Sequence, residues 1–122
     1  MFKYQPKGVN IVNESNVNLT DTKLKEEKYV CTAIPFDLGK ISYTQGVDSM
    51  LRNNLGINLA IYIRRHQSGD WGILDIEDKI TNDEATKNGE RVLSSYIICG
   101  RKVWIITERD RSCTTILLPS EC

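Results

Sequence analysis

The last third of the chain changes from helical to strand-like character, and this change restricts the fold more than any other feature. Three short runs rich in β-branched and aromatic residues follow one another at 92–98, 102–107 and 114–118. The connections Gly100–Arg101 and Glu108–Arg111 are short enough for antiparallel hairpins. The sequence therefore predicts a three-stranded antiparallel meander at the C-terminal end.

Helical periodicity precedes the meander. Thr44, Asn58 and Asp75 are each suited to an N-cap, and the residues that follow them repeat apolar side chains at spacings of three and four. The glycines expected to close the three helices are Gly56, Gly69 and Gly89. About three helices are therefore predicted between the first apolar stretch and the meander.

The N-terminal part of the chain has a different composition. Residues 1–28 are polar and rich in asparagine, which favours a loosely ordered arm, although the alternation at 10–12 would also suit a short strand. Apolar character rises from residue 29, and 38–43 has the pattern of a short strand after Pro35. We expect residues 29–122 to form a single α+β domain, with short N-terminal strands, three helices and the meander packed on them.

Charge and hydropathy exclude several classes of protein. Sixteen basic and sixteen acidic residues give a formal net charge of zero and a pI near 6.6, so no overall field attracts a polyanion. Nucleic-acid binding would have to rest on a local patch. The sequence has no apolar run long enough to span a membrane, and its start lacks the apolar core of a signal peptide. We expect a cytoplasmic protein without membrane partners.

The four cysteines and the single histidine argue against a metal or cofactor. The cysteines stand singly at positions 31, 99, 113 and 122, without a Cys-x-x-Cys pair. In a cytoplasmic chain such thiols are expected to stay reduced and buried as small hydrophobes. Neither a glycine-rich dinucleotide motif, a phosphate loop nor a Gly-x-Ser-x-Gly elbow occurs. We therefore predict no metal and no cofactor.

The segment 63–71 contains the only histidine and is the most polar focus of the chain. His66 continues the apolar row of Tyr62 and Ile63 by one turn, which places the imidazole at the edge of the buried face, partly buried. Asp70 is four residues further on and would orient the imidazole as a general base if the helix continued, but Gly69 interrupts it. Trp71 is expected to anchor this corner in the core.

An acidic stretch follows this corner. Six acids lie between Asp70 and Glu84, against the single base Lys79. A charge run of this kind is commonly only a solvated face, whereas the functional alternative is a contact surface for a basic partner. The residues predicted for binding are Arg65, His66, Asp70, Trp71, Asp75, Glu77, Asp78, Asn82, Asp83 and Glu84.

A small metal-independent ribonuclease is the enzymatic alternative. Such an enzyme needs a base and groups that hold a phosphate, and His66, Arg109, Arg111 and Thr115 supply these types. Helices followed by an antiparallel sheet are similar in outline to the barnase-like and small toxin ribonucleases, which is weak support for activity. Equally, Thr115 is an ordinary strand residue and the two arginines can pair with nearby acids.

Several blocks of the sequence carry a family resemblance. In chain order they are Phe36–Gly39, Arg65–Gly72, Glu77–Asp78 with Asn82, Gly89–Tyr96 and Trp104–Pro119. These blocks resemble a family of small, mostly uncharacterised proteins carried by plasmids, integrative elements and phages. The match covers roughly residues 34–122. The resemblance implies a mobile-element setting, in which small proteins serve transfer, maintenance or evasion of host defence. It brings no catalytic residues with it.

Two functions are consistent with these observations. The favoured one is a non-enzymatic accessory or anti-defence protein, for example an anti-CRISPR-type inhibitor, that binds a host defence protein through the acidic surface. The alternative is the ribonuclease or toxin. Zero net charge and a single histidine argue against RNA as the main substrate. Pairing of two copies through a free strand edge is also open.

Overall fold

A four-stranded mixed sheet forms the centre of the protein. The structure, a computed structural model, describes residues 28–122. The strands are β1 (Lys40–Tyr43), β2 (Val92–Ile98), β3 (Arg101–Thr107) and β4 (Cys113–Leu117). Their order in the sheet is β1-β4-β3-β2, with β1 parallel to β4 and the other neighbours antiparallel. The predicted α+β class is confirmed.

The predicted meander accounts for only three of these four strands. β2, β3 and β4 lie within one residue of the predicted runs, and positive φ angles at Cys99 and Gly100 form the tight turn between β2 and β3. The meander is nevertheless not a separate three-stranded sheet, because β1 joins it as a parallel edge strand, with Lys40 opposite Cys113. Strand periodicity identifies an element but not a partner some seventy residues away, which explains the omission.

The three helices begin where the cap residues predict. α1 is Gln45–Asn53, α2 is Leu59–Gln67 and α3 is Ile76–Asn88. Side-chain oxygens of Thr44, Asn58 and Asp75 accept hydrogen bonds from amides of the first turn in each case. Gly89 closes α3 with φ of 72°. None of the helices in residues 28–122 has the length and apolar character needed to cross a bilayer.

One face of the sheet and the helices enclose the hydrophobic core. Alternate residues of the strands share this face, which we call the helix-covered face. A larger cluster joins α1 to the sheet through Val47, Met50, Tyr96, Ile98, Val103, Ile105, Ile116 and Leu118. A smaller cluster around the start of β2 contains Phe36, Trp71, Ala85 and Val92. Residues Cys31–Cys122 pack as one compact unit. The predicted arm lies outside the described residues except for Lys28.

The free edge of β2 is closed by two elements that are not strands. The Ser95 amide donates to the carbonyl of Trp71 at 3.1 Å, and the Ile73 amide donates to the carbonyl of Ser95 at 2.8 Å. Further along, the Asn82 side chain of α3 bonds both the amide and the carbonyl of Leu93, at 3.1 and 2.6 Å. These contacts satisfy backbone groups that an edge strand otherwise exposes.

Candidate functional site

His66 lies in the core between the two hydrophobic clusters. Its side chain is 0% exposed, and both ring nitrogens contact hydroxyls of the helix-covered face. Nδ1 is 2.6 Å from Oγ of Ser94, and Nε2 is 2.9 Å from Oγ1 of Thr107. Phe36 and Trp71 meet the imidazole edge-on, with ring centroids 5.5 and 5.9 Å away. The predicted position at the edge of the buried face was wrong.

The hydrogen-bond chain through His66 has a definite direction. The Thr114 hydroxyl donates to the Leu38 carbonyl at 2.6 Å, so its oxygen must accept at its 2.7 Å contact with Thr107. The Thr107 hydroxyl therefore donates its proton to the Thr114 oxygen, and its own oxygen accepts from Nε2–H of His66. Nδ1 is then an acceptor for the Ser94 hydroxyl. The hydrogen-bond chain ends at the Leu38 carbonyl and requires neutral His66 with its proton on Nε2.

Electrostatics favour the same neutral form. Burial, with a smaller contribution from the charge of Arg111, lowers the pKa of His66 from 6.5 to about 4. A general base must reach the proton that it abstracts, and this imidazole has no exposed surface and no free lone pair in the observed chain. Its arrangement is therefore that of a structural histidine.

Asp70 does not orient His66. Its carboxylate instead accepts from Nε of Arg65 at 2.7 Å and from the amide of Gly72 at 3.2 Å. Partial burial opposes ionisation, but these hydrogen bonds outweigh it and hold the pKa of Asp70 below its ordinary value. The Arg65 guanidinium also lies 4.7 Å from the ring centroid of Tyr96. Arg65 and Asp70 thus form a half-exposed ion pair that links the last turn of α2 to the turn that follows it.

Trp71 is the anchor that the sequence predicted, and its partner is an acid that we expected at the surface. The indole Nε1 donates to Oδ1 of Asp83 at 2.9 Å, and the Thr32 amide donates to Oδ2 at 3.1 Å. Asp83 and Asn82 are both buried. Their assignment to an exposed binding surface was wrong, because on this side of α3 they satisfy the indole N–H of Trp71 and the backbone of β2.

Fewer acidic side chains are available at the surface of α3 than the six acids of the sequence stretch suggest. Asp75, Glu77, Asp78 and Glu84 are exposed, and we call these four carboxylates the acidic surface. Two lysines of the same helix, Lys79 and Lys87, reduce its formal charge to −2. Glu84 lies 3.4 Å from Lys87, an exposed pair of little energetic weight. Ile80, 43% exposed, stands in the middle of this helix surface.

The residues proposed for a ribonuclease do not converge. Arg111 donates to the carbonyls of Ala85, Glu90 and Glu108, so its guanidinium is used to hold the end of α3. Arg109 points elsewhere and pairs with Glu90 at the surface. Thr115 alternates with Thr114 along β4 and faces away from His66. The Phe36 ring contacts both His66 and Arg111, with the guanidinium carbon 5.5 Å from its ring centroid.

Ser94, Thr107 and Thr114 are the important residues that sequence reasoning missed. A signal for two of them was present, because alternation places Ser94 beside Tyr96, and Thr107 beside Ile105, on an otherwise apolar strand face. A polar side chain on such a face needs a buried partner. The only histidine, continuing the apolar row of α2, is that partner.

The cysteines follow one expectation and depart from another. All four are free thiols. However, Cys31, Cys99 and Cys122 are exposed and Cys113 is half-buried, so the predicted burial was wrong. Within residues 28–122, no group of three histidine, cysteine or acidic side chains is placed to hold a metal ion.

Comparison of the chain with protein-family models, curated proteins and solved structures gives no match. The resemblance to a family of mobile-element proteins therefore remains a prediction.

Proposed function

We propose that the protein is a cytoplasmic accessory protein of a mobile genetic element that inhibits a host defence protein, in the manner of an anti-CRISPR, by binding it through the acidic surface. The observation that carries the binding mode is the burial of His66. With the only imidazole enclosed in a hydrogen-bond chain, the exposed remainder of the predicted site is a set of carboxylates. Exposed carboxylates of this kind are suited to recognition of a basic partner.

The composition of the acidic surface supports a basic partner. Asp75 and Asp78 stand at the start of α3, while Glu77 and Glu84 flank the exposed Ile80 at spacings of three and four. An apolar centre with a charged rim is a common anatomy for a protein contact. Complementary charge accelerates encounter and excludes partners of the same sign. The expected partner presents a groove lined with arginine and lysine, of the kind that holds a nucleic-acid backbone.

The setting in a mobile element rests on the sequence resemblance, and no residue role follows from it. It narrows the partner to proteins that a plasmid or phage must evade. The geometry of residues 28–122 gives no support to the ribonuclease alternative, since the four residues it requires do not share a surface. These residues are His66, Arg109, Arg111 and Thr115.

The binding proposal is tested with the host protein that co-purifies with the full chain. Reversal of charge by Asp78→Lys with Glu84→Lys is expected to weaken that complex at least tenfold, and raised salt should weaken the wild-type complex similarly. The matched control, Asp37→Lys with Glu90→Lys, changes net charge equally at exposed sites outside the acidic surface. A complex insensitive to both the test variant and salt contradicts the proposal.

A nuclease assay tests the non-enzymatic part. Purified protein incubated with labelled RNA from acidic to alkaline pH is expected to leave the RNA intact. Arg109→Ala is the informative variant, because Arg109 is exposed and its loss should not unfold the chain. Cleavage by the wild-type protein that disappears in Arg109→Ala would overturn the proposal in favour of the ribonuclease.

A further inference from the structure

A groove of about 470 Å³ opens at the end of the molecule where α1 turns into α2. The α1–α2 loop, the exposed side of α2 and the end of β2 form its walls. Its apolar lining includes Leu55, Ile57, Ile61 and Ile98, and the polar groups beside them include Asn54 and Asn58.

The apolar side chains of this groove are unusually accessible. Leu55 is 90% exposed and Ile61 is 49% exposed. At this exposure, Leu55 adds almost no buried apolar area to the core. Burial of Leu55 and Ile61 in a contact would remove a large apolar area from water. The groove therefore has the character of an interface centre without its partner.

The rim of the groove is basic. Arg64 lies one turn after Ile61 on α2, and Arg101 is opposite Ile98 in the β2–β3 register, so both stand beside lining residues. Neither segment around the groove, 49–69 or 91–107, contains an acidic residue. One acid, Glu121, lies within electrostatic range of Arg101, but its carboxylate is held at the start of α1 by hydrogen bonds from the Thr44 hydroxyl and the Gly46 amide. The groove should therefore favour a ligand that carries negative charge next to an apolar side chain.

The exposed stripe of α3 has this complementary chemistry. Ile80 stands between Glu77 and Glu84, and the two glutamates are seven residues apart, or about 10 Å along a helix. The stripe cannot reach the groove of its own chain. Asn82 of α3 is fixed to Leu93, whereas the groove lies at Ile98, about 17 Å further along β2.

We propose that this groove binds α3 of a second copy of the chain. Ile80 of one copy enters between Leu55 and Ile61 of the other, while Glu77 and Glu84 face Arg64 and Arg101. Two different surfaces meet, so the contact is heterologous and leads to a closed pair only if both contacts form together. The contact covers the acidic surface of the proposed function, so that self-association and binding of a host protein exclude each other.

Sedimentation of the full-length protein tests this contact without any host protein. Wild-type protein is expected to self-associate as its concentration rises, and less so at high salt. A groove variant, Arg64→Glu with Arg101→Glu, and a helix variant, Glu77→Lys with Glu84→Lys, should each weaken self-association at least tenfold. Lys102→Glu is the control, because alternation places this side chain on the other sheet face.

Mixing the two variants is the decisive measurement. In an equimolar mixture each variant offers the other a surface of opposite charge, and association is expected to return. A groove-to-groove dimer would leave the self-association of the helix variant alone at the wild-type level, and that result would overturn the proposal. So would wild-type protein that stays monomeric up to about 1 mM. Because the groove variant keeps the acidic surface, its binding to the host protein remains a separate test of the proposed function.

Discussion

At the scale of single residues, His66 shows how a polar side chain can belong to the core. Its imidazole connects Ser94 on β2 with Thr107 on β3, and Thr107 passes the connection to Thr114 on β4. Three strands are therefore joined on the helix-covered face by directed hydrogen bonds. A buried network of this kind is costly if one partner is lost, since the remaining groups stay desolvated.

The buried histidine predicts a dependence of stability on pH. Its pKa is about 4 in the folded state and near 6.5 when unfolded, so the unfolded chain binds more protons between these values. Stability is then complete above pH 6.5 and is lost as the pH falls. Urea unfolding should show a loss of about 2 kcal/mol between pH 7 and pH 5. The lowered carboxyl pKa values act in the same direction, but at lower pH.

The same titration can be followed without a variant. The chain has one histidine, so its imidazole resonances in an NMR spectrum are unambiguous. They should remain those of the neutral ring, with the proton on Nε2, down to pH 5. A midpoint near 6.5 in the folded protein would contradict the buried hydrogen-bond chain.

At the scale of elements, the loop between β3 and β4 is held by one arginine and not by its neighbour. Arg111 adopts a positive φ of 60° and directs its guanidinium to three backbone carbonyls, including Ala85 near the end of α3. Arg109 makes only an exposed pair with Glu90. Two arginines that look equivalent in sequence thus have different roles.

This difference can be measured by substitution. Arg111→Ala is expected to lower the free energy of unfolding by about 2 kcal/mol, because charged hydrogen bonds to carbonyls of the helix end are lost. Arg109→Ala should change it by less than about 0.5 kcal/mol. Chemical denaturation of both variants measures the two values. Equal effects would show that the guanidinium of Arg111 does not hold the helix end.

The closure of the β2 edge depends on a glycine. At Gly72, with φ of +80°, an added Cβ would lie 1.9 Å from the carbonyl oxygen of Ser95. Gly72→Ala is therefore expected to cost at least about 3 kcal/mol and to expose the amide of Ile73 to hydrogen exchange. Gly56→Ala is the control, since an added Cβ there meets nothing within 4 Å. Its effect should stay below about 1 kcal/mol. If Gly72→Ala were equally mild, the bridge to Ser95 would not matter for stability.

At the scale of the whole molecule, zero net charge conceals an uneven distribution. The exposed side of α3 carries the acidic surface, whereas the groove at the other end of β2 has a basic rim. Net charge alone therefore excludes bulk attraction of a polyanion but leaves both local contacts available.

The fold as a whole is expected to be independent of redox conditions. All four cysteines are free, so no covalent link restricts the unfolded chain. Thermal unfolding with and without reducing agent should give the same midpoint. A thiol reagent should react readily with Cys99 and Cys122 in the folded protein. It should react more slowly with half-buried Cys113 and with Cys31, whose sulfur contacts the Gly69 carbonyl and the Asp83 carboxylate. A midpoint that falls on reduction would indicate a disulfide and contradict the described arrangement.

The parts of this protein that depend on neighbouring residues could be predicted from the sequence. The caps at Thr44, Asn58 and Asp75 and the two hairpins follow from local hydrogen bonds, turn geometry and side-chain period. Three features could not be predicted in this way and depend on long-range packing: the parallel pairing of β1 with β4, the enclosure of His66 and the burial of Asp83. Each of these depends on a partner far away in the chain, and a residue's type and period state that it needs a partner without stating which one.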